Sequence, residues 1–538
     1  MLTFLANCTN RWLVSLFVVA GVAGSAAAQT PSQPWFGLPA PGPVTETPVD
    51  FTHLDLPRIP APDASKAPEL EGAKLVQYIK DIVAFSYASR DAGDQLWGRI
   101  AGSKYTDQAV EYVAKQLRDA GLSVTEVPVP FVRANDPLHW SVRVLGTPEF
   151  GPGSDPIELK SAIPMPVGGA GGGRGRGEGE PDASGPHTVT APVVFVGEGN
   201  STNLAMIDVK GKIAVMVKEP VPTAFYGDAE DGSTQILTRA GAVGVIEIYD
   251  MPGNMHLFLG ACGPQELCFT VGGEDGAFLR AAIEHAAAAK ALDKLQMELS
   301  VTRSGPQNFT AHVLVAKLAG RDSSENIVVS THSDSWFTGA NDNASGMAGM
   351  IGLAKQYAKG PKPQHDFYFF LSPGHHSPTN GEASLVKYDP SIPTKNIVAL
   401  NLEHIGQAGT YRVYSKSTTD KYGNRGAAYV PTNWDSQGRE VTMGPDSAAI
   451  KKAWIEAAMR EQYTAPAIIS ISPVAEIAPF VAAGGAGIQD VETSPWFHTS
   501  GDSVNTISPE GMQRVMLFYK DFLDCMDKLS RKQVRNGQ

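Results

Sequence analysis

Residues 325–360 read ENIVVSTHSDSWFTGANDNASGMAGMIGLAKQYAKG, and the changes of pattern inside this stretch decide the fold. Its first residues form an apolar, β-branched run, as expected of a buried strand. Its last eighteen place Met347, Met350, Ile351, Ala354 and Ala358 on one helical face. The runs DFYFFL (366–371) and NIVALNLEH (396–404) carry the strand pattern onward. Strands alternating with amphipathic helices predict an α/β sheet covered by helices on both sides.

In such sheets ligands sit at the carboxyl ends of the strands. Those ends carry THSDSW (331–336), PGHHSP (373–378) and LNLEHIG (400–406). They bring His332, Asp334, His375, His376, Glu403 and His404 to one sheet edge. Asp342 lies in the loop before the helix, and TSPWFHTSGDS (493–503) adds His498 and Asp502. Taken singly, Asp342 reads as a helix cap and His498 as an ordinary satisfied histidine. Converging, imidazoles and carboxylates are ligands for zinc and similar divalent ions. The alternation of side chains along a strand turns His404 away from Glu403, which gives His404 a structural role.

The rest of the 538 residues sets the frame. With 42% hydrophobic and 19% charged residues the composition is that of a globular protein, and the length favours two or more domains. A formal net charge of −12 argues against a nucleic-acid partner. At the N-terminus, Arg11 precedes the apolar run WLVSLFVVAGVAG, and Ala26 and Ala28 fit an A-x-A cleavage site. Residues 1–28 therefore read as an export signal, with an uncleaved anchor as the alternative. This places the protein in a secreted or periplasmic compartment, with no membrane segment after signal removal. Cys8 leaves with the signal. Cys262 and Cys268 either close a small disulfide loop or are two buried thiols, and Cys525 belongs to a core helix.

Residues 29–66 form a Pro-rich arm. Two helical patterns follow between Leu70 and Gly121. In the second, Val110, Val113, Ala114 and Leu117 share a face, with Thr106 as cap at its start and Gly121 at its end. Residues 135–306 are β-rich, with strands at APVVFVGEG, GKIAVMVKE and AVGVIEIYD, a helix at STQILTRAGA, and a low-complexity Gly-rich loop over 168–186.

The motif THSDSWFTGANDNASG resembles the signature of the co-catalytic zinc exopeptidases, the family of leucyl aminopeptidases, glutamate carboxypeptidases and the transferrin receptor. LWGRIAGSKYTDQAVEYVAKQLRDAGL, VALNLEHIG and SPWFHTSGDS are similar to further segments of that family, in the same order. LAMIDVKGKIAVMVKE and AGAVGVIEIYD resemble the protease-associated domain often inserted in it. The resemblance implies a three-layer α/β/α metallopeptidase domain with a mixed sheet, formed by residues 67–134 and 307–530. It implies an inserted domain over 135–306. It also implies that His332 and Glu403 bind one metal, that Asp342 bridges two, that His498 binds the second, and that Asp334 orients His332. The cofactor is then zinc, as one or two ions, although iron or manganese also suits two histidines and a carboxylate.

One departure stands out. Where the family has adjacent glutamates, a general base and a ligand of the second metal, this chain has His375 and His376. Three readings follow. In the first, a metallohydrolase cleaves a peptide or small amide, with His376 as ligand and His375 (or, if its loop folds back, Glu382) as base. In the second, a metal enzyme runs other chemistry on a non-peptide substrate. In the third, a non-catalytic protein binds a partner.

Overall fold

The computed structural model describes residues 31–46, 57–168, 182–222, 232–374, 376, 381–423, 425–436, 438–463 and 477–535. Its main sheet has seven strands. In chain order they are β1 (Ser123–Arg133), β2 (Gln307–Leu318), β3 (Asp322–His332), β4 (His365–Ser372), β5 (Asn396–Glu403), β6 (Arg439–Gly444) and β7 (Gly487–Glu492), in the spatial order β1-β2-β4-β3-β5-β7-β6. The central β4, β3, β5 and β7 are parallel. The outer strands join antiparallel, so the sheet is mixed.

The period of two along β3 explains the layers. Ile327 and Val329 face one core, under α1 (Gly72–Asp91), α2 (Lys104–Asp119), α3 (Gly346–Lys359) and α4 (Pro509–Met526). Val328 faces the other way, against Leu385, Ile392 and Phe480 from short helices on the opposite side. Along β4, Phe369 and Phe370 divide in the same manner. Helices cover both faces, and the three-layer expectation holds.

The second helix begins earlier than the sequence suggests. Ser103, not Thr106, is the cap: its hydroxyl accepts the Thr106 N–H, while the Thr106 hydroxyl donates to Ile100 O. Lys104 and Tyr105 carry no breaking signal, so the helix extends back to the nearest residue able to cap it. At the other end Gly121 takes φ +90, and its N–H closes on Arg118 O.

A second sheet of eight strands lies between Pro137 and Arg303. It includes Gly185–Phe195, Ile213–Lys218 and Gly244–Tyr249, with the helix Ser233–Arg239 before the last of these. It has its own core, in which Val193, Val215, Ile246 and Phe269 pack on Phe278 of the helix Gly273–Ala288. The Gly-rich residues 169–181 and the N-terminal 1–30 lie outside the described residues. The arm is not free-running where it is described: Trp35 is buried against Phe150 and Phe278. Cys262 and Cys268 are disulfide-bonded, and Cys525 is half-buried on α4. Among the described residues, no helix is long and apolar enough to cross a membrane.

Candidate metal centre

All the converging residues belong to the carboxyl edge of the parallel strands. His332 ends β3, His376 follows β4, His404 follows β5 and His498 lies in the loop after β7. Asp342 hangs in the loop between β3 and α3, and its carboxylate is the hub. Its Oδ1 lies 3.3 Å from His332 Nε2 and 3.2 Å from His404 Nε2. Its Oδ2 lies 3.6 Å from His376 Nε2 and 3.3 Å from His498 Nε2, and those two nitrogens face each other at 3.0 Å. The five residues thus form two three-donor groups that share one carboxylate.

This arrangement fits metal ions. Two ligands each about 2.0–2.1 Å from a tetrahedral zinc stand roughly 3.3 Å apart, which is the spacing observed between donors. Asp342 Oδ1 is buried, with imidazole nitrogens as its polar neighbours, an arrangement that costs free energy unless those rings carry protons or a cation lies between. Without one, protons substitute. Burial disfavours charge on His332 and His404, but Asp334 and Asp342 raise His332 well above its usual pKa, and Asp342 raises His404. Burial would raise the Asp342 pKa, but the surrounding imidazoles hold it well below the carboxylate range. Ligand imidazoles must shed such protons when a metal enters.

The next layer of residues fixes the donors. Asp334 Oδ1 lies 3.0 Å from His332 Nδ1, and its Oδ2 lies 3.7 Å from His376 Nδ1. Gly374 (φ +104) passes so close that a Cβ there would overlap this carboxylate. Asp502 accepts the backbone N–H groups of Asn341 and Asp342 at 2.8 and 3.0 Å. Burial raises the Asp502 pKa to about 6. Asn343 ties the loop to both strands through Thr331 Oγ1 and Leu402 O. Beneath lies Arg99, wholly buried. It donates to Ser86 Oγ, Ser333 O, Thr338 O and Gly339 O. Burial lowers its pKa to about 10, against the pull of Asp342, Asp502 and Asp334.

The structure brings His332, Asp334, Asp342, His376 and His498 together, and it exchanges two neighbours. Glu403 is not among the converging donors; its Oε2 accepts from Asn401 Nδ2 and Gln489 Nε2 at 3.1 and 2.8 Å. His404 takes the place expected of it. The pleat rule that set His404 aside stops with β5 at Glu403, because His404 adopts φ +49. That left-handed residue redirects the chain, and its ring swings to Asp342. His375 and the side chain of Glu382 lie outside the described residues. Sequence reasoning gave no role to Arg99, whose one signal is a lone cation between apolar neighbours in LWGRIAG.

Known proteins share this fold. No curated protein matches the chain. In fold it is similar to a peptidase M28 precursor from Shewanella amazonensis SB2B (16% identity, 86% of this chain and 97% of that one, TM-score 0.57). It is also similar to a zinc aminopeptidase from Bacillus subtilis (17% identity, 84% and 94%, TM-score 0.51). Residues 314–522, which hold every one of the converging donors, match the family model of peptidase family M28. Over that segment, which carries the site, the chain is similar to peptidase family M28.

Proposed function

We propose that the protein is an exported zinc-dependent hydrolase that cleaves a peptide or related amide bond at a two-ion centre. The observation that carries this reading is the Asp342 carboxylate with two imidazoles on each oxygen. In it, His332 and His404 hold one ion, His376 and His498 the other, and Asp342 both. Bound divalent cations supply Lewis acidity, polarising the scissile carbonyl and acidifying a water. Asp334 fixes the ring orientation of His332 through Nδ1 and so directs Nε2 toward Asp342. Asp502 and Arg99 hold the Asp342 loop in place. His375 keeps its proposed role as proton-transfer group on the strength of its position beside His376. An imidazole with a pKa near 6.5 suits that task at neutral pH. Residues 135–306 are proposed as an inserted protease-associated unit, and residues 1–28 as a signal for export to the periplasm or beyond.

The donor set favours a second reading. Four imidazoles and one carboxylate carry less negative charge than the family's carboxylate-rich set. Such a centre also suits iron, with other chemistry on a non-peptide substrate. Metal content of the purified protein, with turnover on a panel of aminoacyl amides and peptides, decides. Two zinc equivalents and amide cleavage support the first reading. Tight iron binding with no amide cleavage supports the second. A protein that takes up no metal after reconstitution sinks both.

A further inference from the structure

The loop that carries His498 has little structure of its own. Residues 493–503 contain no helix or strand, and His498 sits at φ +54, a conformation that a non-glycine residue keeps only when its surroundings enforce it. Much of that enforcement comes from the second sheet's lobe. The Phe258 N–H donates to His498 O at 3.0 Å, and the Ser500 N–H donates to His256 O at 3.0 Å. The His256 N–H donates to Ser500 Oγ at 3.1 Å. Leu257 and Thr499 are thereby paired as in a short antiparallel ladder. Further along, the Tyr249 hydroxyl donates to Pro495 O.

The lobe segment is itself secured at both ends. Tyr249 closes the strand Gly244–Tyr249, and the Cys262–Cys268 disulfide leads into the strand Cys268–Val271. Its side chains reach the other ligand loop. The Phe258 ring packs 4.4 Å from Trp336, and His256 stacks on Phe337 at 5.4 Å. Trp336 and Phe337 lie between His332 and Asp342 in the chain. Trp336 in turn packs on the His376 ring at 5.9 Å, and the backbone ladder ends on His498, so both contacts lead to the group of Asp342, His376 and His498. His332 and His404 stand at the main sheet's own edge, and Asn343 ties the Asp342 loop to that edge, with Asp502 as its second anchor.

We propose that Tyr249 and residues 256–258 are positioning residues for His498, so that the ion site of Asp342, His376 and His498 depends on the second lobe while the site of His332, Asp342 and His404 does not. This inference rests on the two-ion reading above. Its chemistry is selective: loosening the ladder lets one imidazole wander and leaves the other donors in place.

The test is a metal titration of the full chain with zinc against a competing chelator, and with cobalt followed by its ligand-field absorption. The variant Tyr249→Phe/Ser500→Ala removes two hydroxyls from the clamp and no donor. The second equivalent is expected to weaken about 10–100-fold, as when the outer partners of metal ligands are removed, and the first to change less than about 2-fold. The cobalt spectrum of the second site is expected to fade while that of the first persists. Phe278→Leu, in the lobe's core, controls for instability: it should lower the melting temperature and leave both affinities alone. Two tight equivalents in the clamp variant, equal weakening of both, or the same split in Phe278→Leu would overturn the proposal. A wild type that binds one equivalent, unaffected by His498→Ala, defeats the two-ion reading and this inference with it. A two-equivalent protein whose clamp variant binds normally defeats the inference alone.

Discussion

His404 Nε2 stands 3.2 Å from Asp342 Oδ1, while the adjacent Glu403 turns to Asn401 and Gln489. The two neighbours therefore have separable roles. His404→Ala is expected to weaken the first ion at least 10–100-fold. Glu403→Gln is expected to act on stability and leave that ion bound. Metal stoichiometry and melting temperature, measured on both variants, check the division; loss of the ion in Glu403→Gln alone would reverse it.

Gly374 has no room for a side chain. A Cβ would overlap the Asp334 carboxylate, and φ +104 is strained for any other residue. Gly374→Ala is expected to cost about 1–3 kcal/mol of stability and to lower turnover by displacing Asp334 from His332. Denaturant unfolding beside kinetics will show it. A variant with wild-type stability and rate would mean that the loop relaxes without cost.

Arg99 should be intolerant of replacement. Arg99→Met leaves Thr338 O, Gly339 O and Ser333 O short of a buried donor and removes the cation beneath three aspartates. The expected loss is about 3–5 kcal/mol. Arg99→Lys keeps the charge but not the planar fork, and should recover only part of it. Urea unfolding of the three proteins at one metal concentration measures the order.

His256 makes the lobe contact sensitive to acid. Burial depresses its pKa from 6.5 to about 4. The folded ring therefore binds fewer protons than the unfolded one between those values. Its stabilising contribution is complete above pH 6.5 and is lost as the pH falls towards 4. At about 1.4 kcal/mol per unit the effect is at most about 3 kcal/mol, and less for a ring still partly open to water. Melting temperatures between pH 7 and 4 should fall less steeply for His256→Gln than for the wild type. Parallel curves would remove His256 from the account.

The main sheet was legible because burial on both faces writes itself into composition. Ile327-Val328-Val329 and Phe367 to Leu371 are strands whichever way they face. The places of His332 and His376 at the site were legible for the same reason, since strand ends put them there. His404 was misread where regularity ends: a pleat predicts direction only while the strand continues, and one residue at φ +49 cancels it. Arg99 left a single faint mark in the sequence, a lone cation between apolar neighbours. Its value comes from four acceptors in distant segments that meet only after folding. The Ser103 cap was missed because Thr106 stands nearer the apolar face that begins at Val110, and Lys104 and Tyr105 give no sign of an earlier start.

The ladder between residues 256–258 and 498–500 also fixes an order of assembly. Translation delivers the clamp first, then His332, Asp342, His376 and His404, and His498 after a further long stretch of chain. On the two-ion reading, a chain that stops before His498 would carry the brace, Asp342 and His376 but lack the last donor of the second group.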